Sequence, residues 1–371
     1  MKEHILLIGA GKRAEEFLDK TQNLYEMEEA EYVIADIFYT RKERWLREQK
    51  VLDLKEVDMG YFDRIFIAKD VPMSINGVIQ YLHHQGMREV SIYDGQCMKT
   101  IDLQGKPVLG YVEMHLVNHC NLNCAGCSHF ANIQEEKYYS EAHIQEEFVV
   151  LSQKFHILTI RLMGGEPLLH PNVTAILRYA RMSFFDSRIE LVTNGIHLPK
   201  MAQEFWQAVK QNGIIISVSN YEPTFRMAKD LIKLFEKYET EYAFDLSCKQ
   251  PEAAHVVKEF HKCLSKTPCH DKQIAARVCY GKNCYFFHDF YLTKCVFPAL
   301  IWVLNENYGT EFRVDKKDFH DVRLGTDGWE ILDKLEEPME FCRYCIEEKP
   351  ERIKWTTTKK AVLEDYIVCE K

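Results

Sequence analysis

The chain has 371 residues, more than one hydrophobic core usually serves, so two or three domains are expected. With 46% hydrophobic and 28% charged residues and no Pro- or Gly-rich tract it can bury a full core, which excludes a disordered or fibrous chain. Forty-seven Lys and Arg against 56 Asp and Glu leave a net charge of −9, which removes the electrostatic footprint of a non-specific nucleic-acid binder.

The N-terminus, MKEHILLIGAGKRAEE, has a short apolar run before Gly9 and no small-residue cleavage pattern, and no stretch approaches the roughly 18 apolar residues of a membrane span. A cytoplasmic protein without a membrane partner is expected. HILLI (4–8) runs as a strand into GAGKRA (9–14) and an acidic helix over 13–21. YVIADI (32–37), DRIFIAK (63–69) and REVSIYD (88–94) follow as short β-branched strands, with a helix over 75–85. This alternation predicts a parallel, Rossmann-like α/β domain over 1–97. Gly9 and Gly11, with Ala14 in the third small-residue position, sit between strand and helix as a dinucleotide fingerprint requires, and Asp36 ends the second strand, where an acid would meet a ribose hydroxyl. These are candidate nucleotide contacts, the alternative being a tight strand-to-helix turn with no ligand. Residues 98–111, with Gly105-Lys106-Pro107, break the pattern and are expected to be a linker.

A second series begins with the strand EMHLVN (113–118) and a helix over 140–155. Strands follow at 156–163, 188–193, 214–219 and 242–247, with helices near 172–184, 200–211 and 224–238. The spacing predicts a parallel sheet or partial (β/α)6 barrel over 112–250, with its active site at the C-terminal strand ends. Beyond 251 the rhythm is lost, and 251–371 reads as a small extension stapled by cysteines.

Those cysteines number 13, too sparse for a disulfide scaffold and odd in number, which in a reducing compartment points to metal or redox chemistry. In HCNLNCAGC (119–127), Cys120, Cys124 and Cys127 lie on one loop after a strand, where three thiolates can hold three irons of a [4Fe–4S] cluster and leave the fourth open. A structural zinc site is the alternative, completed by His119 or His129. Cys279, Cys284 and Cys295, followed by Cys342 and Cys345, offer five candidates for a second four-ligand site, for which zinc is again an alternative.

The cysteine loop, GGEP (164–167) closing the next strand and TNG (193–195) closing the one after it together resemble the radical S-adenosylmethionine (SAM) superfamily over residues 112–250. The resemblance implies that Cys120, Cys124 and Cys127 ligate a [4Fe–4S] cluster whose open iron is chelated by the amine and carboxylate of SAM. Gly164 and Gly165, lacking a Cβ, would let the backbone approach the methionyl ammonium, with the charge of Glu166 nearby. Thr193 and Asn194 would meet ribose hydroxyls, and Ser217, Ser219 and Asn220 would face the nucleoside. The position before the third cysteine, aromatic in many members, is Gly126.

The C-terminal cysteines resemble the twitch or SPASM extensions that carry an auxiliary [4Fe–4S] cluster. Cys284, Cys295, Cys342 and Cys345 are the favoured ligands and Cys279 the alternate, although the glycine usual five residues before the middle cysteine is Phe290. Cys248, at the end of the fifth strand, is a candidate hydrogen donor to a substrate radical, or simply a small buried residue. By resemblance the protein would take an electron from a flavodoxin or ferredoxin-type donor, cleave SAM to a 5′-deoxyadenosyl radical, and oxidise or epimerise a small molecule. The front domain resembles those of sugar-modifying enzymes and favours a carbohydrate or nucleotide-sugar substrate. A peptide-modifying radical SAM enzyme and a non-catalytic iron–sulfur or zinc protein are the competing readings.

Overall fold

Apolar runs without alternation, such as Ile5–Ile8, suit strands buried on both faces of a parallel sheet, and all four of these residues are inaccessible to solvent. The computed structural model describes residues 3–22, 30–37, 44–70, 74–95, 97–244, 256–279, 281–348 and 350–368. The chain divides into two units, Met1–Gly110 and Tyr111–Lys371. Among the described residues no helix is long and apolar enough to cross a membrane.

The first unit contains β1 (Glu3–Ile8), α1 (Lys12–Gln22), β2 (Ala30–Asp36), β3 (Arg44–Leu46), β4 (Gln49–Asp53), β5 (Arg64–Ile67), α2 (Ile75–His84), β6 (Glu89–Tyr93) and β7 (Met98–Asp102). The sheet order is β3-β4-β2-β1-β5-β6-β7, parallel from β4 to β6 and antiparallel at both edges. Strand order reverses between β1 and β5, and the crevice outside the strand ends at such a point is where open α/β sheets take ligands. Here Asp70 fills it. Its Oδ1 accepts the Arg13 backbone N–H at 2.7 Å, and its Oδ2 lies 1.7 Å from where a Cβ on Gly11 would stand. A carboxylate of the chain itself thus caps the first turn of α1, where a phosphate would otherwise sit. Gly9 holds φ +135° with Ala68 O 2.2 Å from its missing Cβ. Asp36, the expected ribose acceptor, is buried and paired with Lys69 and, at 3.2 Å, Arg44.

Residues 98–111 are not a bare linker. They hold β7, which pairs with β6, and the start of β8 (Val108–Val117), with Gly105-Lys106-Pro107 in the bend between the two.

The second unit continues with α3 (Glu141–Lys154), β9 (His156–Gly164), α4 (Val173–Ser183), β10 (Arg188–Thr193), α5 (Gln203–Gln211), β11 (Ile214–Val218), α6 (Glu222–Tyr238) and β12 (Tyr242–Phe244). Then come β13 (Glu259–Lys262), α7 (Lys272–Val278), β14 (Phe286–His288), β15 (Tyr291–Thr293), α8 (Val296–Leu300), α9 (Trp302–Tyr308), β16 (His320–Asp321), α10 (Gly328–Glu336) and β17 (Glu351–Lys354). The main sheet runs β12-β11-β10-β9-β8-β14-β15-β16. Pairing is parallel from β12 to β9 and between β8 and β14; five of these strands, β8 to β12, are those expected over 112–250 and the sixth, β14, comes from the segment read as the extension, and among the described residues the sheet does not close. All ten residues of β8, at its centre, are buried.

Among the described residues, those on either side of the expected boundary near 250 belong to one compact unit. Strands β14 to β16 extend the barrel sheet, and one apolar cluster joins Phe130 to Leu264, Phe286, Leu300, Phe341 and Tyr366. Residues 245–255, including Cys248, lie outside the described residues.

Two measurements probe this framework. Gly9→Ala places a Cβ against Ala68 O in a backbone conformation that L-residues avoid, and a loss of at least about 1–3 kcal/mol is expected in chemical denaturation of the first unit's transition. In the second unit, Glu147 on α3 is buried beside His143 and Asp289 and accepts the Phe290 N–H at 3.2 Å. Burial, and then the Asp289 charge, push its carboxyl up to about 8. Between its ordinary value and about 8 the folded chain holds a proton that the unfolded chain releases, so this group's contribution to stability falls as pH rises. Glu147→Gln keeps the acceptor and removes the ionisation, so its Tm should decline less than the parent's between about pH 5 and pH 8 in calorimetry.

Candidate active site

The loop after β8 carries Cys120, Cys124 and Cys127. Cys124 is buried and the other two are half-buried. N–H groups address all three sulfurs: Leu122 N to Cys120 Sγ at 3.4 Å, Asn194 Nδ2 to Cys120 Sγ at 3.7 Å, the Trp355 indole Nε1 to Cys124 Sγ at 3.3 Å, and the backbone of His129, Phe130 and Ala131 to Cys127. Burial pushes the Cys120 and Cys124 thiols up to about 12 and raises Cys127 as well. Three thiols on one loop, kept neutral by burial and already addressed by N–H donors, are a donor set that a metal would convert to thiolates. Its chemistry fits three irons of a cluster.

GGEP closes β9 directly against this loop. A Cβ on Gly164 would stand 2.3 Å from Val117 O, and one on Gly165 1.9 Å from His119 O. The Gly165 and Glu166 N–H groups donate to those same two oxygens, at 2.9 and 3.0 Å. The missing Cβ atoms therefore allow the end of β9 to lie on the end of β8. Glu166 is almost wholly buried and accepts Leu168 N–H at 3.1 Å, Thr193 Oγ1–H at 2.7 Å and Asn194 N–H at 2.8 Å. Burial, partly offset by these donors, lifts its carboxyl to about 7.

Thr193 Oγ1 also accepts Gly195 N–H, so its hydroxyl is engaged within the TNG turn. The Asn194 amide reaches Asn121 Oδ1 at 2.7 Å and its carbonyl accepts Ile196 N–H. Ser217 Oγ accepts from Arg161 at 3.2 Å, and Asn220 is fully buried with its backbone oxygen accepting Val257 N–H. Ser219 is partly exposed at the same strand end.

Beneath these loops lies a buried polar set that sequence reasoning missed. Tyr111, Glu113 and His115 alternate along β8 and share one face. Tyr111 donates to Glu113 Oε1, and Arg161 of β9 donates to the Tyr111 oxygen at 3.1 Å and pairs with Glu190 of β10 at 3.1 Å and Glu113 at 3.8 Å. Burial pulls the Arg161 guanidinium down, but Tyr111, Glu190 and Glu113 outweigh it and hold it above its ordinary value. His115 Nε2 lies 2.7 Å from His129 Nδ1, and burial drives His115 well below the usual imidazole range, so it is neutral. Its Nδ1 is buried and has no hydrogen-bond partner among the described residues. The available signal was Tyr-x-Glu-x-His in an otherwise apolar central strand.

The C-terminal cysteines converge as well. A cavity of about 320 Å³ is lined by Cys263, Cys279, Cys284, Cys295, Cys342 and Cys345, with Glu113, His129, Lys282 and Lys294. Cys263, unassigned from sequence, pairs with Cys345 through their thiols, and the Leu264–Cys345 bridge brings the two segments together. Burial raises Cys295, and the neighbouring sulfurs that act on it are Cys279, Cys342 and Cys263. Burial also raises Cys284, and the Glu113 and Cys279 charges add to it; this expected ligand lines the same cavity as the other five cysteines. Lys294, buried, donates to Glu336 O at 2.8 Å and feels Cys342, Cys279 and Cys295. Phe290, in the place of the usual glycine, adopts φ +65°.

A partial parallel sheet with three thiols, GGEP and TNG on successive strand ends defines the class, and residues 114–241 match the family model of the Radical SAM superfamily. The chain carries a radical SAM domain followed by a C-terminal extension. A domain of this family implies a [4Fe–4S] cluster and SAM. Among curated proteins, a probable GTP 3′,8-cyclase of Thermoplasma volcanium is 33% identical over 114 residues, covering 30% of this chain and 33% of that protein. One from Pyrococcus abyssi is 32% identical over 108 residues, covering 29% and 34%. The chain thus spans about a third of the length of these curated relatives. Among solved structures, BtrN in complex with AdoMet and 2-DOIA matches with a TM-score of 0.37 and 13% identity over 66% of this chain and 98% of that one.

The Glu166 junction is directly testable. Glu166→Gln replaces an acceptor oxygen by a donor facing either the Leu168 or the Asn194 N–H. Leaving one of these buried donors unsatisfied should cost about 1–3 kcal/mol of unfolding free energy, measured by chemical denaturation.

Proposed function

We propose that the protein is a reductively activated radical SAM enzyme that abstracts hydrogen from a polar small molecule of the carbohydrate or nucleotide-sugar class, oxidising or epimerising it. The observation that carries this reading is the buried polar set of Tyr111, Glu113, His115, Arg161, Glu190 and Ser217 under the strand ends that bear the cysteine loop, GGEP and TNG. Cys120, Cys124 and Cys127 would hold the cluster. Asn194, Ser219 and Asn220 would line the SAM side, with Gly164, Gly165, Glu166 and Thr193 holding the loops in place. When bound, the cluster and SAM supply a 5′-deoxyadenosyl radical.

The chain's own residues supply orientation and exclude water. Glu113 and Glu190 would accept from substrate hydroxyl groups and Arg161 would donate; Arg188 also pairs with Glu190 at 2.7 Å, so the set holds two carboxylates and two guanidinium groups. Hydroxyl-rich substrates, which both donate and accept, suit that balance. Neutral His115 offers Nδ1, buried and without a partner among the described residues, as a further hydrogen-bonding group. In the extension, Cys279, Cys295, Cys342 and Cys345 are the proposed auxiliary ligands, with Cys263 adjacent, and the Lys294 ammonium offsets the cluster's negative charge. A flavodoxin or ferredoxin-type protein would deliver the electron. The names of the curated relatives supply a second reading, in which the substrate is a purine nucleotide.

Anaerobic purification, iron and sulfide analysis and a SAM-cleavage assay test the proposal. About eight irons per chain are expected, with about four lost in a Cys120→Ala/Cys124→Ala/Cys127→Ala variant that forms no 5′-deoxyadenosine. Cys279→Ala should lose the auxiliary iron while Cys284→Ala keeps it. Zinc in place of iron, or no 5′-deoxyadenosine after reduction, sinks the enzyme reading. Binding titrations with nucleotide sugars, GTP and peptides separate the substrate classes.

A further inference from the structure

The last described segment of the chain is built onto the cysteine loop. Strand β17 pairs with β13, and the residues that follow it continue across the loop: Ala125 N–H donates to Thr356 O at 2.9 Å, Thr358 N–H donates to Asn123 O at 2.8 Å, and Cys124 forms a bridge with Thr357. Gly126, at φ +70°, has no room for a side chain, because a Cβ there would stand 2.6 Å from Ile353 Cδ1 and 2.7 Å from Asp365 O. The same segment brings Trp355 to the second cysteine. Its indole Nε1 lies 3.3 Å from Cys124 Sγ, its backbone N–H donates to Lys258 O at 2.7 Å, and its ring stacks on Tyr221 with centroids 5.4 Å apart and planes 22° from parallel. Tyr221 directly follows Asn220, whose backbone oxygen accepts Val257 N–H at 3.0 Å. The indole is therefore fixed on two sides, by backbone pairing and by a stacked ring, with its only donor aimed at a sulfur.

We propose that Trp355 is a positioning residue for the radical SAM cluster, whose N–H bond to Cys124 raises the cluster's reduction potential. This rests on the reading that Cys120, Cys124 and Cys127 hold that cluster. An indole N–H is a donor only, and a thiolate is a stronger acceptor than the thiol it replaces, so loading the site strengthens this contact. Drawing electron density from a ligand sulfur favours the reduced cluster, and hydrogen bonds to the sulfurs are among the factors that set such potentials. The sulfurs share the work, with Leu122 N–H and the Asn194 amide on Cys120 and Trp355 on Cys124. The bond on Cys124 is the one delivered by the C-terminal segment.

The test uses the full-length holoprotein, reconstituted anaerobically and titrated with dithionite, with the reduced cluster followed by electron paramagnetic resonance. The signal that changes on adding SAM identifies the open cluster and separates it from the auxiliary one. Trp355→Phe keeps an aromatic ring and removes the N–H; the isosteric benzothiophene analogue of tryptophan at 355 does the same with the bicyclic shape intact, which covers the case in which the phenylalanine variant loses its cluster. Both should titrate at a more negative potential than the parent. After exchange into D2O, the SAM-responsive signal of the parent should carry one deuteron coupling more than that of either variant, those from Leu122 N–H and the Asn194 amide on Cys120 persisting in all three. An unchanged potential, or a shift with every coupling of the parent retained, overturns the proposal while leaving the radical SAM reading standing. A chain with no SAM-responsive cluster overturns that reading and this one together.

Discussion

Glu166 fixes the geometry on which the site depends. A carboxylate removed from water is costly unless donors surround it, and its three partners come from two strand ends: Leu168 beyond β9, and Thr193 and Asn194 at the end of β10. The residues before it, Gly164 and Gly165, lie so close to Val117 and His119 that any side chain would meet backbone oxygen. The ends of β8, β9 and β10 are thereby locked in one arrangement. Cys120 shares in it, since the Asn194 amide that the junction holds reaches both its sulfur and Asn121. The cysteine loop is thus organised by a hydrogen-bonded knot in which GGEP and TNG do structural work before any cofactor is considered.

From the other side, the C-terminal segment completes the cysteine loop. Loops leave backbone polar groups without partners, and those of Asn123 and Ala125 are satisfied by Thr358 and Thr356, more than 200 positions along the chain. The extension also continues the main sheet through β14 and shares an apolar cluster with Phe130 of the cysteine loop. Barrel and extension consequently belong to one compact unit, and the second cysteine cavity is lined by Glu113 of β8 as well as by its own segment. The two cysteine sets are coupled through shared strands.

The elements that sequence reasoning found are those set by local chemistry. Apolar β-branched runs became the parallel strands, with ends within a few residues of those expected, and the motifs fell on successive strand ends. Short edge elements were missed: β3 and β4 span three and five residues, and β7 was hidden in a segment read as a linker because of Gly105 and Pro107. The site was legible only where its residues adjoin in sequence. That Cys263 lines the same cavity as Cys279, Cys284, Cys295, Cys342 and Cys345 depends on which way a chain with no periodicity folds back. Trp355 is 231 positions from the cysteine it touches, and no local pattern could join them. Phe290 shows the opposite limit, since it adopts a left-handed conformation where the pattern expects glycine, with its N–H bonded to the Glu147 carboxyl.

The first unit shows why a glycine pattern alone underdetermines function. Gly9 is required because β1 and β5 bring its α-carbon against Ala68 O, a constraint of the tight turn that holds with or without a nucleotide. Gly11 is required because something negative must come close to the N-terminus of α1, and a carboxylate meets that requirement as well as a phosphate does. The chain supplies the carboxylate itself, from Asp70 at the end of the neighbouring strand. Asp36, whose place in the pattern suggests a ribose, is bound by Lys69 and Arg44. A pyrophosphate entering this crevice would have to displace Asp70 from the Arg13 N–H and would stand beside two carboxylates. The fold conserves the anion-binding turn, and the identity of the anion is decided by one residue 57 positions away from the N–H it caps.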